Sequence, residues 1–587
     1  MQPEPLTIDL LLRGYSAGTL TPADVVDTLL ERINADDEHN VWIRVLTRAE
    51  LEPYLANLAC LTPDDKPLYG VPFAIKDNID LAGIATTAGC PEFAYTPSES
   101  ATVVQRLLDA GAIPLGKTNL DQFATGLVGT RSPYGVCRNA IDSDYISGGS
   151  SSGSAVATAL GQVAFALGTD TAGSGRVPAA FNGILGLKPT RGLLSTAGVV
   201  PACATLDCVS IFSTTPADAQ RVFEAAAGFD QADPFSRPPE TQRSVLGPTF
   251  RFGVPRAEQL EFFGDGEYAA GFDRARAHLE SLGGQPVELD FAPWFEAAAL
   301  LYDGPWLAER YLAVESLLER QPDAVFPVTR NIIEHGAEIP ATAVFRAEYR
   351  LRTLKRETDA VWEQVDVMLT PTTGTHYLIS EVEDYPVGLN TNLGYYTNFM
   401  NLLDLAACAV PAGTTAAGLP FGVTLFAPAF SDLALLALAA RWRGEELTIV
   451  ETERLPMVVC GAHMSGLPLN GQLTSLGGRF LRTARTTPDY RFYALPGGPP
   501  ERPGLVRTSE PDGDGIEVEV WDLPKSAVGT FLAGIPAPLG IGRVQLDDGT
   551  APPGFLCEAV AVHEATDISA LGGWRAYLEQ RNQSPGS

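Results

Sequence analysis

Three segments of this chain carry residue types that can do acyl chemistry without a histidine. Lys76 lies in Gly70-Val-Pro-Phe-Ala-Ile-Lys-Asp-Asn78, Ser150 in Gly148-Gly-Ser-Ser-Ser-Gly-Ser154, and Ser174 in Gly168-Thr-Asp-Thr-Ala-Gly-Ser-Gly-Arg-Val-Pro178. Lys76 follows the apolar run Val71–Ile75, so a strand would carry its amine into the interior. Lowering a lysine pKa from about 10.4 to about 7 costs roughly 4.6 kcal/mol. The neutral amine so obtained is a competent general base. The small residues around Ser174 let successive backbone N–H groups converge on one developing oxyanion. Each piece alone has a plainer reading, a lysine at a strand end or a common Gly/Ser loop; the three together point to a serine nucleophile served by a lysine.

Two other patterns compete for attention. Gly111-Ala-Ile-Pro-Leu-Gly116-Lys117-Thr118 fits the phosphate-binding pattern G-x-x-x-x-G-K-T. Its first glycine follows the amphipathic run Thr102–Ala110 and reads as a helix C-terminal cap, and Ala-Ile-Pro-Leu reads as a buried strand. A nucleotide switch is the resulting alternative of a different class. Gly149-Ser-Ser151-Ser-Gly153 fits the nucleophile-elbow pattern G-x-S-x-G, but the polar stretch Asn139–Ser147 before it is not the strand an elbow needs. It reads better as a loop opening the helix Ser154–Leu160. The six histidines leave a histidine base open at this point.

These residues must be positioned by an alternation of elements. Short apolar runs (Val71–Ile75, Ile113–Leu115, Val163–Leu167, Val367–Leu369, Gly422–Phe426) alternate with helical stretches (Thr102–Ala110, Ser154–Leu160, Phe272–Leu282, Leu307–Leu318), which predicts an α/β architecture with a central sheet. The first 60 residues read as helical, with Thr21-Pro22 opening a helix. After about residue 446 the texture changes to short strands between Gly/Pro turns. The expected organisation is a first domain over 1–446, a linker over 447–456, a second domain over 457–575 and a polar, disordered tail over 576–587.

With 587 residues the chain is too long for a single ordinary core. Its 41 basic and 71 acidic residues give a net charge of −30, which argues against nucleic acid and anionic lipid as partners. The first residues lack a basic segment followed by an apolar one, and no run approaches a membrane span. The eight cysteines are scattered without C-x-x-C, so the expectation is a reduced, cytoplasmic enzyme without metal or other cofactor.

The three segments, together with Ala179-Ala-Phe-Asn-Gly-Ile-Leu-Gly-Leu-Lys-Pro-Thr-Arg-Gly192, closely resemble the amidase signature family over roughly residues 15–445. The likeness includes Gly116-Lys-Thr-Asn-Leu-Asp-Gln-Phe123, which accounts for the phosphate-binding decoy. It implies a mixed central sheet covered by helices, with Ser174 as acyl-forming nucleophile, Ser150 as the bridging serine after a cis peptide, and Lys76 as base. The amides of Thr171, Ala172, Gly173 and Ser174 would hold the oxyanion. Ser152 stands where the family often has a second glycine.

Within that family the closer likeness is to the allophanate hydrolases, through Asn401-Leu-Leu-Asp-Leu-Ala-Ala-Cys-Ala-Val-Pro-Ala-Gly413, Leu301-Tyr-Asp-Gly-Pro-Trp-Leu-Ala-Glu-Arg310 and the C-terminal extension. This implies urea-1-carboxylate as substrate, Tyr302 and Arg310 gripping its carboxylate from one helix, and Gly126 lining the same pocket through its backbone. It also implies a functional link to a biotin-dependent urea carboxylase, and a large α/β hydrolase with an extra domain is expected to form a homodimer. Residues 457–575 resemble the C-terminal domain of those enzymes, an α+β fold similar to γ-glutamyl cyclotransferases. Ala527–Ile541 contains no acid, so cyclotransferase activity is not implied. His463 is the candidate for a second reaction, loss of carbon dioxide from the carboxylated product. The alternatives are an amidase of another small amide, and a second domain serving in interaction or dimerisation.

Overall fold

The computed structural model describes residues 6–238, 243, 245–448, 454–509, 511 and 513–583. The described residues fall into two compact units, one of 6–238 with 245–448 and one of 243 with 454–509, 511 and 513–583.

The first unit is built on eleven strands: β1 Trp42–Val45, β2 Pro72–Lys76, β3 Ile113–Thr118, β4 Phe165–Asp170, β5 Leu185–Lys188, β6 Cys208–Ser213, β7 Phe250–Pro255, β8 Gly284–Leu289, β9 Val367–Pro371, β10 Leu405–Thr414 and β11 Pro420–Pro428. They form one mixed sheet in the order β1-β3-β2-β4-β6-β5-β10-β11-β9-β7-β8. β2 runs parallel to both β3 and β4, whereas β4 pairs antiparallel with β6. Every residue of β2, β3 and β4 is buried, so these strands do not alternate: they are apolar up to their C-terminal ends, where Lys76, Lys117-Thr118 and Thr169-Asp170 stand.

Local sequence signals account for the helices around this sheet. Thr21 caps the helix Pro22–Asn34 by accepting from the amide of Asp24, with Pro22 at a first-turn position where no amide partner is needed. The helix Thr102–Asp109 ends at Gly111, whose φ of +96° turns the chain directly into β3. Gly111–Thr118 is therefore a helix cap followed by a buried strand, and the phosphate-loop alternative is not what this segment builds. Lys117 of that pattern pairs with Asp77 at 3.0 Å, inside the core. The Gly/Ser loop opens a helix, Ser152–Ala159, two residues earlier than expected, and Ser151 of the elbow pattern donates to the carbonyl of Thr169 at 3.0 Å.

The second unit holds a five-stranded sheet and a three-stranded one. The strands are β12 Arg454–Val459, β13 Arg479–Arg485, β14 Tyr490–Ala494, β15 Pro503–Arg507, β16 Glu517–Pro524, β17 Leu539–Arg543, β18 Pro553–Cys557 and β19 Thr566–Asp567. Their orders are β13-β16-β12-β18-β17 and β15-β14-β19. Met457, Val459, Phe492, Val518, Trp521 and Trp574 belong to a core of its own. Two expectations are corrected here. β12 begins at Arg454, inside the stretch assigned to a linker, of which 449–453 lie outside the described residues. The expected polar tail is a helix, Trp574–Gln583: Trp574 is buried in the core and Tyr577 stacks on it at 4.9 Å, so two aromatic anchors hold a segment whose composition is otherwise polar. Residues 584–587 lie outside the described residues.

Candidate active site

β2 and β4 are parallel neighbours, so their C-terminal ends open onto the same edge of the sheet, the usual place for chemistry in such folds. Lys76 is the last residue of β2 and Asp170 the last of β4. The Lys76 amine is fully buried and donates to Ser150 Oγ at 2.8 Å and to Thr169 Oγ1 at 2.7 Å. Burial pulls its pKa down from the ordinary lysine value to about 7; the charges of Asp121, Asp207 and Asp170 oppose that shift and Arg310 adds to it. The peptide bond between Gly149 and Ser150 is cis. Among the described residues no histidine bonds to Lys76, Ser150 or Ser174. Ser174 is buried, and its hydroxyl is uncommitted among the described residues.

The loop carrying Ser174 is organised by one carboxylate. Asp170 accepts from the amides of Gly173 at 3.0 Å and Gly175 at 2.9 Å and receives both Nε and Nη2 of Arg176 at 2.9 Å, all four groups buried. Burial works to raise the Asp170 pKa, but the Arg176 guanidinium holds it below the usual carboxylate value. Arg176 is fixed in turn by the carbonyl of Thr397 at 3.2 Å. The amides of Thr171, Ala172 and Ser174 donate to no backbone carbonyl among the described residues. That of Gly173 is already held by Asp170, which alters the four-amide expectation. Gly173 matters through its backbone: at φ +140° a Cβ would lie 2.5 Å from Thr397 Oγ1. The Thr171 hydroxyl donates to the buried Asp207, which also accepts from the amides of Ala202 at 2.8 Å and Cys203 at 3.2 Å. Burial pushes the Asp207 carboxyl up to about 6 despite these donors.

Tyr302 and Arg310 do come together, but not from one helix. Gly304 and Pro305 break the expected helix into Ala292–Asp303 and Trp306–Arg320, since proline supplies no amide to continue the ladder. Packing of the two helices still sets the Arg310 guanidinium over the Tyr302 ring, 5.6 Å from its centroid. Arg310 is 2% exposed, its Nη1 donates to Thr125 Oγ1 at 3.2 Å, and its Nε is buried with no partner. Among the described residues it has no carboxylate partner. Gly126 follows Thr125, and a Cβ there would lie 2.6 Å from Asp121 Oδ2, so only glycine lets the chain pass this carboxylate.

In the second unit His463 borders a cavity of about 270 Å³ together with Gln472, Arg502, Phe531 and Phe555. The imidazole stacks on Phe555 at 5.0 Å and meets Phe531 edge-on at 5.3 Å. Its Nε2 donates to Gln472 Oε1 at 2.9 Å, which leaves Nδ1 as an acceptor. Burial lowers its pKa, and the bond to Gln472 opposes that shift.

Comparison with known proteins gives the family. Residues 24–436 match the amidase family, about seven-tenths of the chain. The chain belongs to the amidase family. Residues 455–579 of this amidase match the family described as the allophanate hydrolase C-terminal domain. Over 591 residues the chain is 41% identical to the urea amidolyase of Saccharomyces cerevisiae, covering 94% of this chain and 32% of that protein. The urea amidolyase of Lachancea kluyveri is 40% identical over 619 residues, covering 98% of this chain and 34% of its own. The chain thus spans about a third of the length of the curated relatives it matches first. The crystal structure of the Kluyveromyces lactis allophanate hydrolase superposes with a TM-score of 0.74 at 38% identity, covering 98% of this chain and 99% of that one. The amidase signature fold is therefore the architecture of the first unit.

Sequence reasoning missed Thr169, Thr125, Asp207 and the Asp170–Arg176 pair. The pair was within view, since both residues stand in the nucleophile segment. Thr169 stands in the same segment, but its role, like those of Thr125 and Asp207, becomes visible only where strands and loops meet.

Proposed function

We propose that this chain hydrolyses urea-1-carboxylate (allophanate) and releases ammonia from it, as a step in the breakdown of urea or of related nitrogen compounds. The observation that carries the reading is Arg310. A buried guanidinium without an anionic partner is costly, and it stands beside Tyr302 close enough to bias Lys76, so a substrate ending in a carboxylate completes the site. The match to allophanate hydrolases over both units supports the same substrate.

The chemistry runs from the residues. Neutral Lys76 draws the Ser150 proton as Ser150 takes that of Ser174, and Ser174 Oγ attacks the amide carbonyl. The amides of Thr171, Ala172 and Ser174 hold the oxyanion. The relay returns its proton to the departing nitrogen, ammonia leaves, and an acyl-enzyme remains on Ser174. Water attacks along the same relay, giving the imino-dicarboxylate. In the second unit, at the cavity that His463 lines, carbon dioxide leaves that product as its C–N bond breaks, the electron pair stays on nitrogen, and nitrogen takes a proton from water. We take the enzyme to be a cytoplasmic homodimer working beside a biotin-dependent urea carboxylase; the length of the urea amidolyase relatives supports a second activity joined to this one.

The test is steady-state kinetics on two variants. Ser174→Ala abolishes ammonia release, and Arg310→Met raises KM for urea-1-carboxylate by about tenfold or more with a smaller effect on kcat. Turnover of neutral amides as good as that of the anion, with indifference to Arg310, would assign the site to another small amide.

A further inference from the structure

A second buried guanidinium stands at Thr125. Arg131 is 2% exposed, and its Nη1 donates to the carbonyl of Thr125 at 2.9 Å while Nη2 donates to that of Pro386 at 2.6 Å. Thr125 is the residue whose hydroxyl receives Arg310, so the two guanidiniums converge on one threonine, one at its backbone and one at its side chain. Both carry a buried Nε without a hydrogen-bond partner, and neither has a carboxylate partner among the described residues. Asp121, the acid whose charge acts most on Arg131, has its oxygens taken by the amides of Val128 at 3.1 Å, Gly129 at 3.0 Å and Arg131 itself at 3.0 Å.

Two buried like charges repel; Asp121 acts on Arg131, and Asp207 and Glu309 on Arg310, but among the described residues neither cation has a carboxylate in ion-pair contact. Burial pulls Arg131 below the usual guanidinium value, Asp121 and Tyr302 oppose this, and Arg310 adds to it. Tyr302 lies within electrostatic influence of both cations. A strut that only tied two carbonyls together could be built from neutral donors such as glutamine. A second fixed cation in this place has a function if an anion enters between the two.

We propose that Arg131 is a specificity-determining residue, the second guanidinium of the subsite that receives the substrate carboxylate around Thr125 and Gly126. This rests on the reading of an anionic substrate. Arg131 then selects a carboxylate-ended amide over its neutral twin, and Arg310 does not do so alone.

The test uses the full chain and two isosteric competitive inhibitors, malonamate, which ends in a carboxylate, and malonamide, which does not. For Arg131→Gln the inhibition constant of malonamate rises about tenfold or more while that of malonamide stays within about twofold. Arg131→Lys, which keeps the charge, retains most of the preference and serves if the glutamine variant does not fold. Both constants rising together in either variant would make Arg131 a structural strut and overturn the inference, as would no change in either. Arg310→Gln is measured in parallel. If it discriminates and Arg131→Gln does not, the second cation alone is wrong; if neither variant separates the two inhibitors, the anionic-substrate reading fails with it.

Discussion

Lys76 answers to two opposed demands. Ser150 and Thr169 need an amine in the core, and the core disfavours its charge, so the amine titrates at about 7. Activity that needs the neutral amine rises with pH, and kcat/KM for the free enzyme should follow an apparent pKa near 7. When the substrate carboxylate offsets Arg310, one of the charges depressing Lys76 is cancelled. The pKa seen in kcat should therefore lie above that seen in kcat/KM, and coincident profiles would contradict a carboxylate on Arg310. The same shift has a stability consequence. The folded pKa lies below that of the unfolded chain, about 10.4, so between about 7 and 10 the unfolded state binds more protons and native stability rises with pH. Lys76→Met should then melt above the parent at pH 6, with the gap narrowing toward pH 10, while ammonia release is lost; thermal melts at both pH values check the sign.

Elements meet at this site through parallel strands. β2 and β4 place Lys76 and Thr169 side by side, and the segment after β4 turns back on Asp170, whose pairing with Arg176 holds the nucleophile loop. Removing one partner of a buried pair leaves the other uncompensated, a loss of about 3–5 kcal/mol. Asp170→Asn should lower the unfolding free energy read from guanidinium-chloride titration by that amount and reduce turnover. Adding Arg176→Met should restore much of the stability but not the activity, because the asparagine keeps one acceptor oxygen where the Gly173 and Gly175 amides had two. The break at Gly304-Pro305 belongs to this scale as well. Two helices, not one, present Tyr302 and Arg310, and their packing rather than a helical repeat sets the cation over the ring.

At the scale of the molecule the two units carry separate hydrophobic cores, one around Phe73, Phe165 and Leu187 and one around Val459, Val518 and Trp521. Separate cores predict separable functions. A chain ending at Glu446 should release ammonia from urea-1-carboxylate at the rate of the full chain, while carbon dioxide release lags. His463→Asn in the full chain should reproduce that lag; simultaneous release of both gases by the shortened chain would remove the second unit from the reaction.

Local sequence alone supplies the catalytic vocabulary. Lys76, Ser150 and Ser174 each stand in a segment whose small and apolar residues have a local reason, and the runs that became β2, β3 and β4 are apolar up to their C-terminal ends because these strands are buried. Such signals are local and survive in a one-dimensional string. The folded chain settles what depends on groups far apart in sequence: Thr169 beside Lys76, Asp207 under Thr171, Arg131 and Arg310 on Thr125, and a C-terminal helix anchored by Trp574 in place of a polar tail. Those contacts are fixed by burial and charge compensation, which act between neighbours in space.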